Sequence, residues 1–443
     1  MGLFSVFRQK GAPMLPPVGG EDFGLLNVPQ VTPRASYRFC GENETLSRLW
    51  CIALDDIEKS FNTKTEFGTV FSAGEYGKGF SSLVFCRDNA YAGLLSLNRL
   101  YPREMMEALR AIRQVRNRLG WKCFKSCGCL LRGIDGVENI KLDHPTFFKT
   151  YQKASAINKT DDVCWLWAAY DLLVKHPDLF GTDDWQWLYE NGKESFARFY
   201  QPFYDATDGL YFGQPTFIDV GGSGYPKGFN HPKEKERNRC IWVKASSTNA
   251  LYYKALCVMS ETAGRLGFAD AQTEWKKQSE RLRAAMLAKL RNPDGTFMYF
   301  LHRDGHAEPR RDTLGTAFPV LCGVVTGEDA QRALTGYPVT QYGTPLLYPF
   351  YERDDTYHNN SMWPFADTFY LLAYERAYGL SCADINRAIL CNAYRNGHFL
   401  ELRDARSNQA TGSWAQLWTT AAFLNVTVRD GMTELDPASV EIN

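Results

Sequence analysis

A chain of 443 residues in which 50 Lys plus Arg balance 50 Asp plus Glu carries no formal net charge, which argues against nucleic acid or another polyanion as partner. No window approaches 18 uninterrupted apolar residues, so a membrane-spanning helix is not expected. The departure from average is in rings: 11 Trp, 23 Tyr and 28 Phe make 14% of the chain against 44% for the whole apolar set, more aromatic surface than a core needs and the kind of platform a sugar-binding cleft uses.

Residues 1–45 are rich in Pro and Gly with little periodicity and are expected to form an irregular N-terminal arm. The opening "MGLFSVFRQKGAPMLPP" has no long apolar core or small-residue cleavage site. With Ser5 one position early for the myristoylation pattern, this gives a cytoplasmic expectation. Beyond the arm, apolar residues recur at helical spacing and predict helices at 46–61, 88–100, 102–118, 161–175, 184–204 and 247–266. The same spacing predicts helices at 269–291, 313–325, 327–335, 362–378, 382–396 and 412–426, with a tail over 431–443. Short and long connections alternate along this series, as they do when an inner and an outer ring of helices form an (α/α)6 barrel whose long loops build a cleft at one mouth. The fold class expected is therefore all-α, with a barrel spanning 46–430. The twelve cysteines are scattered. Their nearest approach to a metal pattern, "CFKSCGC" at 123–129, lacks a second cluster or nearby histidines, so neither a metal nor any other cofactor is expected.

The long connections carry the isolated acids. "QPTFIDVGGSGYPKG" at 214–228 places Asp219 in a segment too glycine-rich for a helix interior and too irregular for a strand. Cleaving a glycosidic bond takes one carboxylic acid to protonate the leaving oxygen and one carboxylate acting at the opposite ring face. A partner for Asp219 is available in "NGHFLELRDARSNQATGSWAQLW", where Glu401 and Asp404 both qualify. In "VFCRDNAYAGLL", Arg87 beside Asp88 at a helix start can grip adjacent sugar hydroxyls. "YHNNSMWPFADTF" groups Tyr357, His358, Asn359 and Trp363, polar groups beside an indole that suit a pyranose. "NKTDDVCWLWAAYDLL" does the same with Asn158, Asp161 and Trp165. Each loop acid could instead be a helix cap or a solvated charge.

Taken in order, "FCRDNAYAGL", "NKTDDVCWLWAAYDLL", "TFIDVGGSGYPKG", "STNALYYKAL", "YHNNSMWPF", "FLELRD" and "GSWAQLWTTAAFL" resemble the six-hairpin glycosidases over about residues 70–426. The resemblance is to the glucosidase part of glycogen-debranching enzymes and to family 63 α-glucosidases and trehalases. It implies that Arg87 and Asp88 bind the sugar next to the scissile bond, that Asp219 is the general acid and that Glu401 is the general base. It further implies that His358, Asn359, Trp363 and Trp414 line the cleft. Phe217 stands where the family's acid loop has tryptophan, Asn360 and Met362 replace a glycine and a valine of its "YHNG-x-VWP" motif, and Ser247 replaces a glutamate before "NAL". The implied activity is inverting, exo-acting hydrolysis of an α-linked glucoside or similar small hexoside, with the two carboxyls roughly 6.5–9.5 Å apart. The substrate expected is a small carbohydrate, and oligomeric state is left open. Sugar phosphorylases and epimerases share this barrel and are the alternative, followed by a non-catalytic glycan-binding protein.

Overall fold

The computed structural model describes residues 28–34, 37–65, 67–76, 84–119, 129–130, 161–218, 224–229, 239–340, 342–352, 357–395, 397–429 and 433–435. Twelve main helices organise these residues: α1 (Glu44–Ser60), α2 (Cys86–Ala92, continued by a π-turn Gly93–Leu97 and the turn Asn98–Leu100), α3 (Pro102–Leu119), α4 (Asp161–Lys175), α5 (Thr182–Glu194), α6 (Ser246–Arg265), α7 (Ala269–Lys289), α8 (Thr313–Leu321), α9 (Gly327–Leu334), α10 (Pro364–Tyr378), α11 (Ala383–Asn392) and α12 (Leu417–Arg429). The even-numbered helices contact one another in the cycle α2, α4, α6, α8, α10, α12 and back to α2, and the odd-numbered helices pack outside them. The expected (α/α)6 barrel is the observed architecture.

Burial patterns separate the two rings. Inner α6 buries residues around most of its circumference, from Ser246 to Ala263, whereas outer α7 buries only Ser279, Leu282 and Met286. A helix walled on all sides needs apolar or small residues all round, while one facing water needs a single stripe. Local signals fix the helix ends. Asn43 caps α1 by accepting from Leu46 N at 3.0 Å; α10 starts on Pro364 and stops at Gly379, which takes the left-handed conformation (φ 66°) that ends a helix without strain.

Short antiparallel strand pairs knit the rim where the inner helices begin. Val243–Ala245, leading into α6, pairs with Phe300–His302. Arg311–Asp312, leading into α8, pairs with Leu347–Tyr348, and Ser361–Met362, leading into α10, pairs with Leu402–Asp404. Trp414–Gln416, leading into α12, pairs with Gly74–Tyr76 and closes the ring between the last inner helix and the segment before the first. The strand Tyr37–Phe39, within the expected arm, pairs with Thr433–Leu435, within the expected tail.

Four predicted helix spans are corrected. The 382–396 span ends at Asn392, because Tyr394–Arg395 and His398–Phe399 form a hairpin. The 412–426 span begins only at Leu417, since the preceding residues are drawn into the pair with Gly74–Tyr76. The 184–204 span changes after Glu194 into a π-helical turn, Ser195–Tyr200, and the 313–325 span stops at Leu321, just before Gly323 turns the chain at φ 86°.

Asp312 caps α8 from a fully enclosed position. One oxygen accepts from Gly315 N at 2.9 Å, the other has no partner among the described residues, and burial pushes its carboxyl up to about 7. Between the ordinary carboxylate range and pH 7 the folded state therefore holds a proton the unfolded chain has lost, so this group's contribution to stability falls as pH rises through that window. Asparagine caps a helix equally well. Asp312→Asn is expected to gain a few °C in Tm relative to the parent between pH 5 and pH 8; parallel melting curves across that range would refute it. Asp367, likewise buried and pushed up to about 7 by the loss of water, leaves the variant with a residual slope of the same sign.

Candidate active site

Glu401 lies between the Tyr394–Phe399 hairpin and the strand Leu402–Asp404, and its position is fixed by backbone on both sides. Leu400 N donates to Ala393 O and Glu401 N to Ser413 O, each at 3.0 Å. The side chain is 2% exposed. Its Oε1 accepts from the Tyr357 hydroxyl at 2.7 Å, and its Oε2 accepts from Ser413 N at 2.8 Å and Ser413 Oγ at 3.3 Å. A carboxylate, being acceptor-only, suits this ring of donors, and such charge-assisted bonds fix its orientation. Gly412 turns the chain at φ 84°, and a Cβ there would sit 2.3 Å from Glu401 Oε2. Backbone conformation and space both demand glycine.

Asp404, the rival acid, is used differently. Its Oδ1 accepts from Arg406 N at 2.9 Å, Ser407 N at 2.7 Å and Ser407 Oγ at 3.0 Å, closing its own turn. Partial burial raises its carboxyl, but these bonds from Ser407 and Arg406 outweigh that effect and hold it below the ordinary range. It is a turn-maker, three positions along the chain from a carboxylate held from several directions.

Asp219 lies outside the described residues. The chain is described up to Ile218 and again from Gly224, and both ends are tightly held. The Ile218 carbonyl accepts from Gln214 Nε2 and from the Tyr225 hydroxyl, each at 3.3 Å. Thr216 N donates to Ser247 Oγ at 3.0 Å, so Ser247 anchors this segment. Tyr299 OH donates to Gly224 O at 2.9 Å. A Cβ on Gly224 would come 2.5 Å from Ile218 Cγ2 and 3.3 Å from His358 Cβ. Phe217, in a left-handed conformation at φ 57°, packs its ring against Trp363 at 5.0 Å, His358 at 6.2 Å and Trp418 at 6.0 Å between centroids. The segment leading to Asp219 thus shares a wall with Tyr357, whose ring lies 5.2 Å from Trp363 and whose hydroxyl reaches Glu401.

Arg87 and Asp88 occupy the first turn of α2, both nearly fully buried. The turn is fixed by the Asn89 amide, which donates to Phe71 O and Phe85 O. Asp88 Oδ1 lies 3.5 Å from the side-chain amide of Gln416, next to Ser413, so this pair joins the Glu401 cluster. Trp414 is half-buried in the strand that closes the ring. Three of the expected cleft residues make the following contacts within the protein. Trp165 is enclosed in the core between α3, α4 and α5, its Nε1 donating to Leu109 O and its ring against Trp187 and the Arg113 guanidinium. Asn359, fully buried, spends its amide on the Tyr351 backbone, accepting from N and donating to O. Trp363 donates to Tyr357 O and Ser361 Oγ and stacks parallel to His358, which makes it the backing of the wall and not an open platform. Asn158 and the Asp161 side chain lie outside the described residues.

Residues 230–419 match the family model of the mannosylglycerate hydrolase MGH1-like glycoside hydrolase domain, a span that takes in Tyr357, Glu401 and Trp414. That match covers somewhat under half of the chain and takes in the rim loops around Glu401. Solved structures share its fold at low sequence identity. The family 63 mannosylglycerate hydrolase from Thermus thermophilus, solved with Tris and D-glycerate, superposes with a TM-score of 0.63 at 15% identity, covering 86% of this chain and 100% of that one. A glycosidase variant in complex with glucose gives 0.58 at 13% identity over 88% and 100%. The neutral trehalase of Saccharomyces cerevisiae gives 0.56 at 12% identity over 82% and 73%. Comparison with curated proteins finds no match.

Around Glu401, the sequence pattern alone did not single out Gly412, Ser413 and Gln416. The signal was present in "TGSWAQ": a glycine and a small polar residue immediately ahead of the last inner helix, where a side chain from the facing loop needs both room and a donor. No group of His, Cys, Asp and Glu arranged to hold a metal occurs among the described residues, and no described helix is long and apolar enough to cross a membrane.

Proposed function

We propose that the chain is an inverting, exo-acting hydrolase of a small α-linked hexoside, with Glu401 as the general base and Asp219 as the general acid. The observation that carries this reading is the shared wall: Phe217, two residues before Asp219, packs on Trp363 and His358, and the neighbouring Tyr357 donates to Glu401. Two loop segments separated by nearly two hundred positions in the chain converge on one mouth, as acid and base acting from opposite faces of a sugar require. Asp404 is set aside as base because its carboxylate is committed to its own turn. Arg87 and Asp88 would anchor the sugar hydroxyls, and Trp414 would flank the entrance.

The family match and the glycerate-bound neighbour favour an α-mannoside or α-glucoside whose aglycone is a small hydroxy acid over a long polymer. The test is a panel of mannosylglycerate, glucosylglycerate, trehalose and other α-linked disaccharides, with aryl α- and β-glycosides, followed by NMR of the first-formed sugar. Release of the β-anomer from an α-glycoside is expected. Initial release of the α-anomer would overturn inversion, and cleavage that depends on added phosphate would point to a phosphorylase.

A further inference from the structure

The donors around Glu401 do not stand alone. Ser413, which supplies two of them, is itself gripped by Gln416, a residue 2% exposed at the seam where the barrel closes. Gln416 pairs in register with Gly74, and Leu417 N donates to Ala73 O at 3.0 Å. The approach is so close that a Cβ on Gly74 would lie 3.0 Å from the Gln416 amide and 3.2 Å from Trp414 O. The surroundings dictate which way the amide faces. With its NH2 group toward Ala73 O and Ser413 Oγ, both at 2.6 Å, and its carbonyl oxygen accepting from Trp418 Nε1 at 3.1 Å, the amide satisfies three neighbours and gives up only the long 3.5 Å approach of its nitrogen to Asp88 Oδ1. The reverse orientation sets the amide oxygen against Ala73 O and the NH2 group against Trp418 Nε1, and draws the Ser413 proton toward Gln416.

That orientation has a chemical consequence. An amide N–H donating into Ser413 Oγ occupies the hydroxyl's acceptor side and leaves its proton to point at Glu401 Oε2, 3.3 Å away. A hydroxyl has one proton to give, and with a Gln416 oxygen facing it that proton would go to the amide and not to the carboxylate. A hydroxyl polarised by an upstream donor is held as a donor, and chained hydrogen bonds reinforce one another. We propose that Gln416 is a positioning residue for the hydrolytic reaction: through Ser413 it holds a donor on the general base, fixing Glu401 in its ionised, water-activating orientation. The inference rests on the reading of Glu401 as base. Gln416 touches no reacting atom and acts only along the chain Gln416, Ser413, Glu401.

The experiment is a pH profile of kcat/KM for Gln416→Leu, Ser413→Ala and the double variant, on whichever α-glycoside the parent enzyme cleaves. Leucine keeps the volume and removes the donor. A base stripped of a donor holds its proton to higher pH, so the acidic limb of the profile is expected to move upward in both single variants, with kcat about tenfold lower, the scale of one charge-assisted hydrogen bond partly lost. Because both residues act through one chain, the double variant is expected to lose little more than either single one. A folded Gln416→Leu with an unmoved acidic limb would overturn the inference, as would additive losses in the double variant. Should the leucine variant fail to fold, Ser413→Ala, which keeps the backbone N–H on Oε2, decides by the same limb. Glu401→Gln separates the two levels. If that variant turns over like the parent, the functional reading fails; if it is inactive while the Gln416→Leu limb stays in place, only the positioning role of Gln416 fails.

Discussion

Glu401→Gln is expected to lower kcat by about two to four orders of magnitude, the usual contribution of a positioned general base, while shifting Tm by no more than a couple of degrees. Glutamine retains the shape of the side chain and one acceptor oxygen, and Tyr357 OH can reverse its role toward the new NH2 group, so the hydrogen bonds to Tyr357 and Ser413 can be largely re-formed. What is lost is a group able to take a proton from water. Asp404→Asn is the control. Its carbonyl oxygen can accept the same bonds from Arg406 and Ser407 that close the turn, so kcat is expected to stay near the parent value. The two variants, purified side by side and assayed on one α-glycoside with melting curves for each, separate a catalytic carboxylate from a structural one three positions away. The reverse pattern, with Asp404→Asn inactive and Glu401→Gln active, would exchange their roles.

The ring of helices was legible because apolar residues recur at helical spacing within each segment, around most of the inner α6 and along one stripe of the outer α7. The segments that were misread are those where a neighbour overrides local preference. Residues 412–416 read as the start of a helix, yet Trp414–Gln416 extend to pair with Gly74–Tyr76, a partner more than three hundred positions earlier that no window contains. Tyr394 and Arg395 read as a helix end, but they pair with Phe399 and His398 in the hairpin that precedes Glu401.

At the site, residue type was informative and orientation was not. An acid in an irregular loop before the last inner helix is visible in sequence, and Glu401 occupies such a place. Whether an indole in a helix faces a cleft or the core depends on helix rotation, which Trp165 illustrates by pointing between helices, where its N–H finds Leu109 O. An asparagine beside an aromatic can hold a sugar or clamp backbone, and Asn359 clamps Tyr351. Phe217 is the converse case. Read only as a replacement for tryptophan, it proves to be the ring that packs the segment before Asp219 onto the wall shared with Tyr357.

Asp219→Asn is expected to produce a loss that depends on the leaving group, which no merely structural defect would do. A general acid is needed only in proportion to the basicity of the oxygen it protonates. On an unactivated α-glycoside, whose alkoxide is a poor leaving group, kcat/KM is expected to fall by about two to four orders of magnitude. On the corresponding α-glycosyl fluoride, whose fluoride departs with little protonation, the loss is expected to be far smaller, and the basic limb of the pH profile, set by deprotonation of the acid, is expected to disappear. Glu401→Gln should behave oppositely and lose both substrates alike, because water must be activated whichever group leaves. Equal losses for Asp219→Asn on both substrates would remove Asp219 from the role of acid. The search for it would then turn to other carboxylates at the mouth, beginning with Asp88, which lies against Gln416 in the cluster around Glu401.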